Sequence, residues 1–364
     1  MRDVYITGGL RSPVGVYKGQ WKSVKPEILG ATVLMELVRR GIVRETEVDG
    51  IMLGNAVGTG GNIARLTALT AGWPERIPAM TIDMQCASAG AAVILAAAKI
   101  RSGLSDCLVA GGIESASLQP LRTYADGDDR TGDYIVAQFA PGENDSAAML
   151  KGAARVSERF GFSRETLDEL ALESHRKADA EEARAAVRRY MTDGEDEGIR
   201  SNMSMRLLSR MPNLLGADVP ITAGNACLTH DGAAAVVLSS EKGSFRIVGM
   251  REWAGEPLES PLGAMEATEA VLRTCDMHME DMDAVEWNEA FAVISALFYR
   301  RYPSCVKVYN RLGGALAYGH PYGASGAIIL LHLMAALELV GGRYGVAAIA
   351  GAGGTGTAMI IERV

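Results

Sequence analysis

The chain has 364 residues and a formal net charge of −8, from 44 Asp plus Glu against 36 Lys plus Arg, with no long basic block. That balance argues against nucleic acid and anionic membrane as partners, and the length allows two or three domains with sizeable cores. Five cysteines, an odd number at positions 86, 107, 227, 275 and 305, show neither metal-ligand spacing nor a compact disulfide framework, so reduced thiols are expected.

The opening stretch "MRDVYITGGLRSPVG" has only a short apolar run before Gly and Pro. No apolar run is read as approaching the roughly 18 residues of a membrane span, so the expectation is a soluble, cytoplasmic protein. Short strand-like runs then alternate with Ala-rich helical ones: "DVYITGG", "PEILGATVLMELVRRG", "GIMLGNA", "AMTIDM", "ASAGAAVILAAAKIRSG" and "CLVAGG". This alternation predicts an α/β layered fold with a largely parallel sheet. Between about 118 and 230 the composition turns charged and loop-like, with one long helix predicted over 163–191 and started by Ser163. That region reads as an inserted cap, a natural place for a ligand-covering surface.

"HDGAAAVVLSS" (230–240) returns the chain to the first half as a strand, and from Phe245 the strand and helix order repeats through "FRIVGM", "SPLGAMEATEAVLRTC", "AVEWNEA", "FAVISALFYRRY", "VKVYN", "GASGAIILLHLMAALELVGG" and "YGVAAIAGAGG". Laying Gly90 on Gly326 puts "ASAGAAVIL" beside "GASGAIILL", the same small-residue helix start followed by an apolar helix. An internal duplication of one α/β unit follows, as a whole-domain repeat. The expected division is 1–117 for the first half, with its return strand at about 231–240, 118–230 for the cap, and 241–364 for the second half.

Three stretches carry candidate chemistry. Cys86 in "MTIDMQCASAGAAVIL" falls between a strand and the first turn of an apolar helix, where the positive end of the macrodipole favours a thiolate; the alternative is a buried structural cysteine. His320 in "GGALAYGHPYGASGA" precedes a proline that suits a loop entering a helix. If the halves are pseudo-symmetric, His320 and Cys86 face one site as base and nucleophile; taken alone, His320 is a hydrogen-bonded loop histidine. Asn288 in "WNEAFA" is either a helix N-cap or a donor to a developing oxyanion. "CDMHMEDMD" near Cys275 reads as a solvated helix end, with no metal expected.

Together, "CASAG", "NEAFA" and "GGALAYGHPYGASGA" resemble the thiolases, which make or cleave the carbon–carbon bond of 3-oxoacyl-CoA. "RSPVG", "VAGGIESAS", "ERFGFSRETLDELALESHRKA", "ITAGNACLTHDGAAAVVLSS" and the closing "IERV" are similar to thiolase segments in the family's order, so the resemblance spans the chain. It implies a thiolase-like fold of two duplicated α/β halves in αβαβα layers with an inserted loop domain. It further implies Cys86 as acyl-accepting nucleophile, His320 as its activator, Asn288 as holder of an oxyanion-hole water, and a second oxyanion hole at the last Gly-rich loop. The cap would bind CoA, with Cys227, Ser260 and Met149 in the substrate pocket. CoA thioester is the substrate, no further cofactor is needed, and a homodimer or homotetramer is expected.

"GAGGTG" (351–356) has the Gly-x-Gly-x-x-Gly spacing of a dinucleotide loop, but the β-formers "TAMIIERV" after it predict a strand where that motif needs a helix. The resemblance makes it the oxyanion-hole turn. It also exposes a departure: counting back from "IERV", the family's second catalytic cysteine falls on Ala350 and its glycine on Ala352. Acyl transfer onto Cys86 is supported, whereas the carbon–carbon step lacks the thiol that moves its proton. Besides the complete reaction, acyl transfer or hydrolysis through Cys86 alone and a non-catalytic CoA-thioester-binding subunit stay open.

Overall fold

The computed structural model describes residues 2–142, 145–227 and 229–364. In chain order the first half contains β1 (Tyr5–Arg11), β2 (Gly15–Val16), α1 (Pro26–Arg39), β3 (Gly50–Gly54), α2 (Ile63–Thr70), β4 (Ala79–Ile82), α3 (Ser88–Arg101) and β5 (Cys107–Ser115). The cap follows with β6 (Arg122–Thr123), β7 (Asp133–Tyr134), α4 (Ala148–Phe160), α5 (Arg164–Asp179), α6 (Glu181–Arg188) and α7 (Met205–Leu208), after which β8 (His230–Ser239) rejoins the sheet. The second half adds β9 (Phe245–Ala254), α8 (Gly263–Cys275), β10 (Ala284–Trp287), α9 (Ala292–Arg301), α10 (Ala315–Tyr318), α11 (Tyr322–Val340), β11 (Tyr344–Gly351) and β12 (Thr355–Arg363).

The duplication is visible in the strand order. In the first half the order is β4-β3-β5-β8-β1, and in the second it is β10-β11-β12-β9, with β1 and β9 joined at Tyr5–Arg246 and Ile6–Phe245. A single parallel bridge from Val285 to Tyr309 stands beyond β10 where the first half has β4. "VKVYN" was expected to be a strand, but Pro303–Val308 is a 3₁₀ helix, so only this bridge remains of the third strand. The expected largely parallel sheet is also corrected: β3–β4, β3–β5 and β10–β11 are parallel, while β1–β8, β5–β8, β1–β9, β9–β12 and β11–β12 are antiparallel. Each half ends on a strand that doubles back beside its predecessor through a turn or the cap, and such a return is antiparallel.

Strand alternation builds the layers. In β5, Leu108 and Ala110 face one core while Val109 and Ile113 face another; in β8, Ala234, Val236 and Leu238 oppose Ala233, Ala235 and Val237. The first set meets α3 and α11, which lie between the half-sheets and touch strands of both, and the second set meets α1 and α2. α8 covers the outer face of the second half. This is the αβαβα arrangement, and it explains why α3 and α11 are apolar on nearly every face. α11, 19 residues with a mean hydropathy of 1.8 over its apolar window, is long and apolar enough to cross a membrane by length and composition, which corrects the expectation that no such run exists. Here it is a core helix, buried by both half-sheets.

The two central helices approach backbone to backbone where the sequence halves were superposed. A Cβ on Gly326 would stand 2.5 Å from the Gly90 nitrogen, so the crossing demands glycine. The long cap helix expected over 163–191 is broken at Ala180, whose ψ of 137° is extended. The break lets Ala183, Ala186 and Val187 of α6 reach the central core while Leu167 of α5 joins the outer one. Ser163 caps α5 by accepting from the Thr166 N–H.

Candidate active site

Cys86 sits in a tight turn between β4 and α3, closed by the Ala87 N–H to Met84 carbonyl bond. Gln85 before it is held at φ +52°, a left-handed conformation that costs a non-glycine residue about 1 kcal/mol and bends the chain so that the sulfur points into the central core. Cys86 therefore lies two residues before the helix, not in its first turn. A lowered thiol pKa was expected from the helix dipole; burial overrides it and pushes the Cys86 thiol up to about 12, with the Glu114 carboxylate adding to the rise. Two groups oppose this: the backbone N–H of Ala352 and that of Cys86 itself both point at the sulfur. Those two donors converge where an oxyanion on an attached acyl group would sit.

Ala352 is delivered by the "GAGGTG" hairpin. β11 and β12 pair antiparallel from Tyr344–Glu362 to Gly351–Thr355, and Gly353 and Gly354 turn the chain at φ +84° and +74°. The Gly354 N–H donates to Ser260 Oγ at 3.0 Å, and that hydroxyl donates to the Pro257 carbonyl at 2.7 Å. Ser260, expected in the substrate pocket, thus has both hydrogen bonds engaged in holding the turn. Ala350 is buried and shares an apolar cluster with Ala226, Ala290 and Phe291, against which Met149 of α4 packs.

His320 lies between α10 and α11, buried, with its N–H on His230 Nδ1 at 3.2 Å. Its Nδ1 is 2.6 Å from Ser325 Oγ, and that hydroxyl donates to the Pro321 carbonyl at 3.1 Å. A hydroxyl has one proton, so Ser325 accepts from Nδ1–H, and Nε2 is left as the basic nitrogen. Burial, with His230 adding to it, lowers His320 to about 3, so the ring rests neutral with an unprotonated nitrogen. Asn288 reaches the ring, its Nδ2 3.4 Å from Nδ1 and 3.5 Å from Nε2, and its backbone N–H bonds the Ala348 carbonyl. Asn288 Oδ1 is buried with no hydrogen-bond partner, an acceptor that a bound water or substrate donor would satisfy.

Cys227 is close enough to Cys86 for that sulfur's charge to disfavour its ionisation, but its S–H donates to the Ala315 carbonyl at 3.1 Å and burial raises its pKa further. Three residues went unread in the sequence. Ser325 fixes the histidine tautomer. Tyr322 stacks edge-on against His320 at 5.0 Å. Glu114, in the small-residue strand "VAGGIES", accepts from the Asn55 amide and from the N–H groups of Ala56 and Gly323, each at 2.9 Å, and so ties the start of α11 to the loop after β3. A lone carboxylate in an apolar strand was the available signal for it.

The cap carries a groove of about 800 Å³ between α4, the start of α5 and residues 213–220. A second cavity of about 370 Å³ runs beside Phe139, Ala148 and Leu258. Lys151 and Arg155 line both, and neither includes Cys86 or His320 in its lining.

The family profile described as "Thiolase, N-terminal domain" matches residues 4–242, and that of "Thiolase, C-terminal domain" matches 242–363. The chain belongs to the thiolase family. It is 31% identical to a steroid 3-ketoacyl-CoA thiolase of Mycobacterium tuberculosis, covering 100% of this chain and 95% of that one. An acetyl-CoA acetyltransferase of Escherichia coli is 31% identical over the full length of both chains, 100% each. The crystal structure of the Bacillus anthracis acetyl-CoA acetyltransferase superposes with a TM-score of 0.91 at 30% identity, covering 100% of this chain and 99% of that one. The thiolase fold, with its two duplicated halves, is that of the structure described above.

Proposed function

We propose that this protein, an acyl-CoA C-acyltransferase of the thiolase type, works by a ping-pong route through an acyl-Cys86 thioester, on acetyl-CoA or a short 3-oxoacyl-CoA. The observation that carries it is the convergence of the Ala352 and Cys86 N–H groups on the Cys86 sulfur, in a site whose base is a neutral histidine. The Cys86 proton passes to His320 Nε2 as the sulfur adds to the thioester carbonyl. The oxyanion is held by the two N–H groups, and its collapse expels CoA thiolate, which takes the proton back. Burial keeps the resting Cys86 thiol protonated, so its proton has to leave in the same step as the sulfur attacks.

The pantetheine arm would reach Cys86 from the cap, past Lys151 and Arg155, which would have to exchange their Asp145 and Glu259 partners for its phosphates. The route asks for no metal or redox group, since nucleophile, base and oxyanion donors are all supplied by the chain. A homodimer or homotetramer in the cytoplasm, acting in acyl-CoA metabolism, is part of this reading.

Ala350 is the reason to keep a second reading. Where the family has a thiol that moves the α-carbon proton, this chain has a methyl group, and a positioned acid/base contributes about 10² to 10⁴-fold, or about 3 to 5 kcal/mol. Unless another group moves that proton, the carbon–carbon step would be slow relative to acylation. Mixing with acetyl-CoA is expected to leave an acetyl adduct in the intact mass that is lost in Cys86→Ala. No adduct on the wild type overturns the proposal. An adduct without any thiolysis of acetoacetyl-CoA reduces the activity to acyl transfer or hydrolysis.

A further inference from the structure

The missing thiol at Ala350 leaves a proton without an owner, and the side chains around Cys86 can be tested for one that could carry it. Cys227 is poorly suited, because its S–H is directed at the Ala315 carbonyl. Asn288 cannot ionise, and His320 already serves the sulfur. Glu114 lies behind the nucleophile, and its carboxylate is occupied by Asn55 and by backbone N–H groups from two loops.

Tyr322 remains. It is the first residue of α11, two positions after His320, and its ring stands edge-on to the imidazole with centroids 5.0 Å apart and an interplanar angle of 80°. Besides burial, the charges its phenol feels are those of Cys86, Cys227 and Glu114, and it packs against the core cluster that holds Cys86. Other tyrosines packed into the second half have partnered hydroxyls: Tyr309 with Ser295 Oγ at 3.0 Å, Tyr318 with the Leu312 carbonyl at 2.7 Å, Tyr299 with Glu173 at 2.9 Å. The Tyr322 hydroxyl has no hydrogen-bond partner among the described residues, although its ring is partly buried. Asn288, whose Nδ2 also reaches the His320 ring, has an Oδ1 that is buried without a partner. Two residues that touch one imidazole and each carry an unpartnered polar atom mark a space suited to a polar ligand.

We propose that Tyr322 is the acid/base of the carbon–carbon step, in place of the thiol that Ala350 lacks. This rests on the thiolase reading above. In thiolysis, the Cys86 proton moves to His320 and the sulfur adds to C3 of the 3-oxoacyl-CoA. The C2–C3 bond then breaks with its electron pair going to C2, and the Tyr322 hydroxyl gives its proton to that carbon, releasing an acyl-CoA. The phenolate takes the proton of the incoming CoA thiol, whose sulfur attacks the acyl-Cys86 carbonyl. Cys86 sulfur leaves and regains its proton from His320. The sum is one 3-oxoacyl-CoA plus CoA giving two acyl-CoA molecules, with every proton returned. Burial raises the Tyr322 phenol above its ordinary value, so it rests protonated and poised to donate.

Tyr322→Phe keeps the ring and removes only an unpartnered hydroxyl, so folding is preserved. Acetoacetyl-CoA thiolysis should fall by about 100-fold or more relative to the rate of acetyl-adduct formation on Cys86 measured in the same preparation. Exchange of acetyl-CoA α-hydrogens with deuterated water, which reports proton transfer at carbon directly, should fall with it. Adding Ala350→Cys to Tyr322→Phe should restore thiolysis, because it returns a thiol to the family's position. Thiolysis or exchange in Tyr322→Phe equal to wild type refutes the assignment, while adduct formation still stands; loss of thiolysis and adduct formation in equal measure also refutes it, by making Tyr322 structural. Failure of the thiolase reading itself is recognised separately, as a wild type that forms no adduct at all.

Discussion

Gly326→Ala tests whether the crossing of the two central helices positions the site. The added Cβ would meet the Gly90 nitrogen at 2.5 Å and the Gly90 Cα at 3.1 Å, whereas ordinary contact begins at 3.4 Å. The obstacle is backbone on both sides, so α3 and α11 must separate by about 0.9 Å (3.4 − 2.5). Overpacking of this kind costs about 1 to 3 kcal/mol. With an unfolding entropy of about 2.1 cal/mol/K per residue over 364 residues, roughly 0.8 kcal/mol/K, the melting temperature should drop by only about 1 to 4 °C. The rate should suffer more. His320 stands six residues before Gly326 and Cys86 four before Gly90, and a misplacement near 1 Å costs about 100-fold in a step that depends on alignment. Stopped-flow acylation by acetyl-CoA, followed by quenched intact mass, reads this directly. Gly90→Ala is the comparison, since its Cβ meets the Thr357 hydroxyl, a side-chain atom that can rotate away, so a smaller loss is expected. Gly341→Ala is the control: at φ +64° with nothing within 4 Å, it should lose about 1 kcal/mol of stability and leave acylation intact. Acylation by Gly326→Ala within threefold of wild type would show that the helix crossing does not set the catalytic geometry.

Further outcomes follow from the same structure. Ser325→Ala removes the acceptor for His320 Nδ1–H and strands a buried donor, a loss of about 1 to 3 kcal/mol, so acylation should slow by about 5 to 150-fold while substrate KM changes little; acylation within twofold of wild type would refute the tautomer assignment. The buried histidines make a contribution to stability that falls on acidification below about pH 6.5. His175, His320 and His332 are lowered to about 4, 3 and 3 by burial, so each stabilises the fold above its unfolded value of 6.5 and loses that contribution as pH falls towards the folded value. Glu114, Glu286 and Glu289, all raised by burial, have the opposite sign and offset part of the resulting slope of stability with pH. Urea unfolding at pH 6.5 and 5.5 measures it, and His332→Gln, which removes a histidine outside the site, should lower the slope by about 1.4 kcal/mol per pH unit; an unchanged slope would mean that His332 is not buried neutral.

The duplicated α/β plan was legible along the chain, because strand and helix periodicity and the small-residue helix start recur in both halves and depend only on local spacing. The sequence also singled out Cys86, Asn288 and His320, and the absence of a thiol at Ala350. What it could not carry were properties set by neighbours distant along the chain. The sign of the Cys86 shift is one: the helix dipole is a local signal, whereas the desolvation that outweighs it comes from the layers packed around the turn. Strand direction is another, since a return strand reads the same whether it pairs parallel or antiparallel. α11 shows the same limit, for an apolar helix long enough for a membrane and one sandwiched between two half-sheets have the same composition. Ser325, Ser260 and Tyr322 took their roles only when the fold brought a ring nitrogen, a hairpin N–H and an imidazole against them. Hydroxyl groups are common in any sequence, and their partners are chosen by tertiary contact.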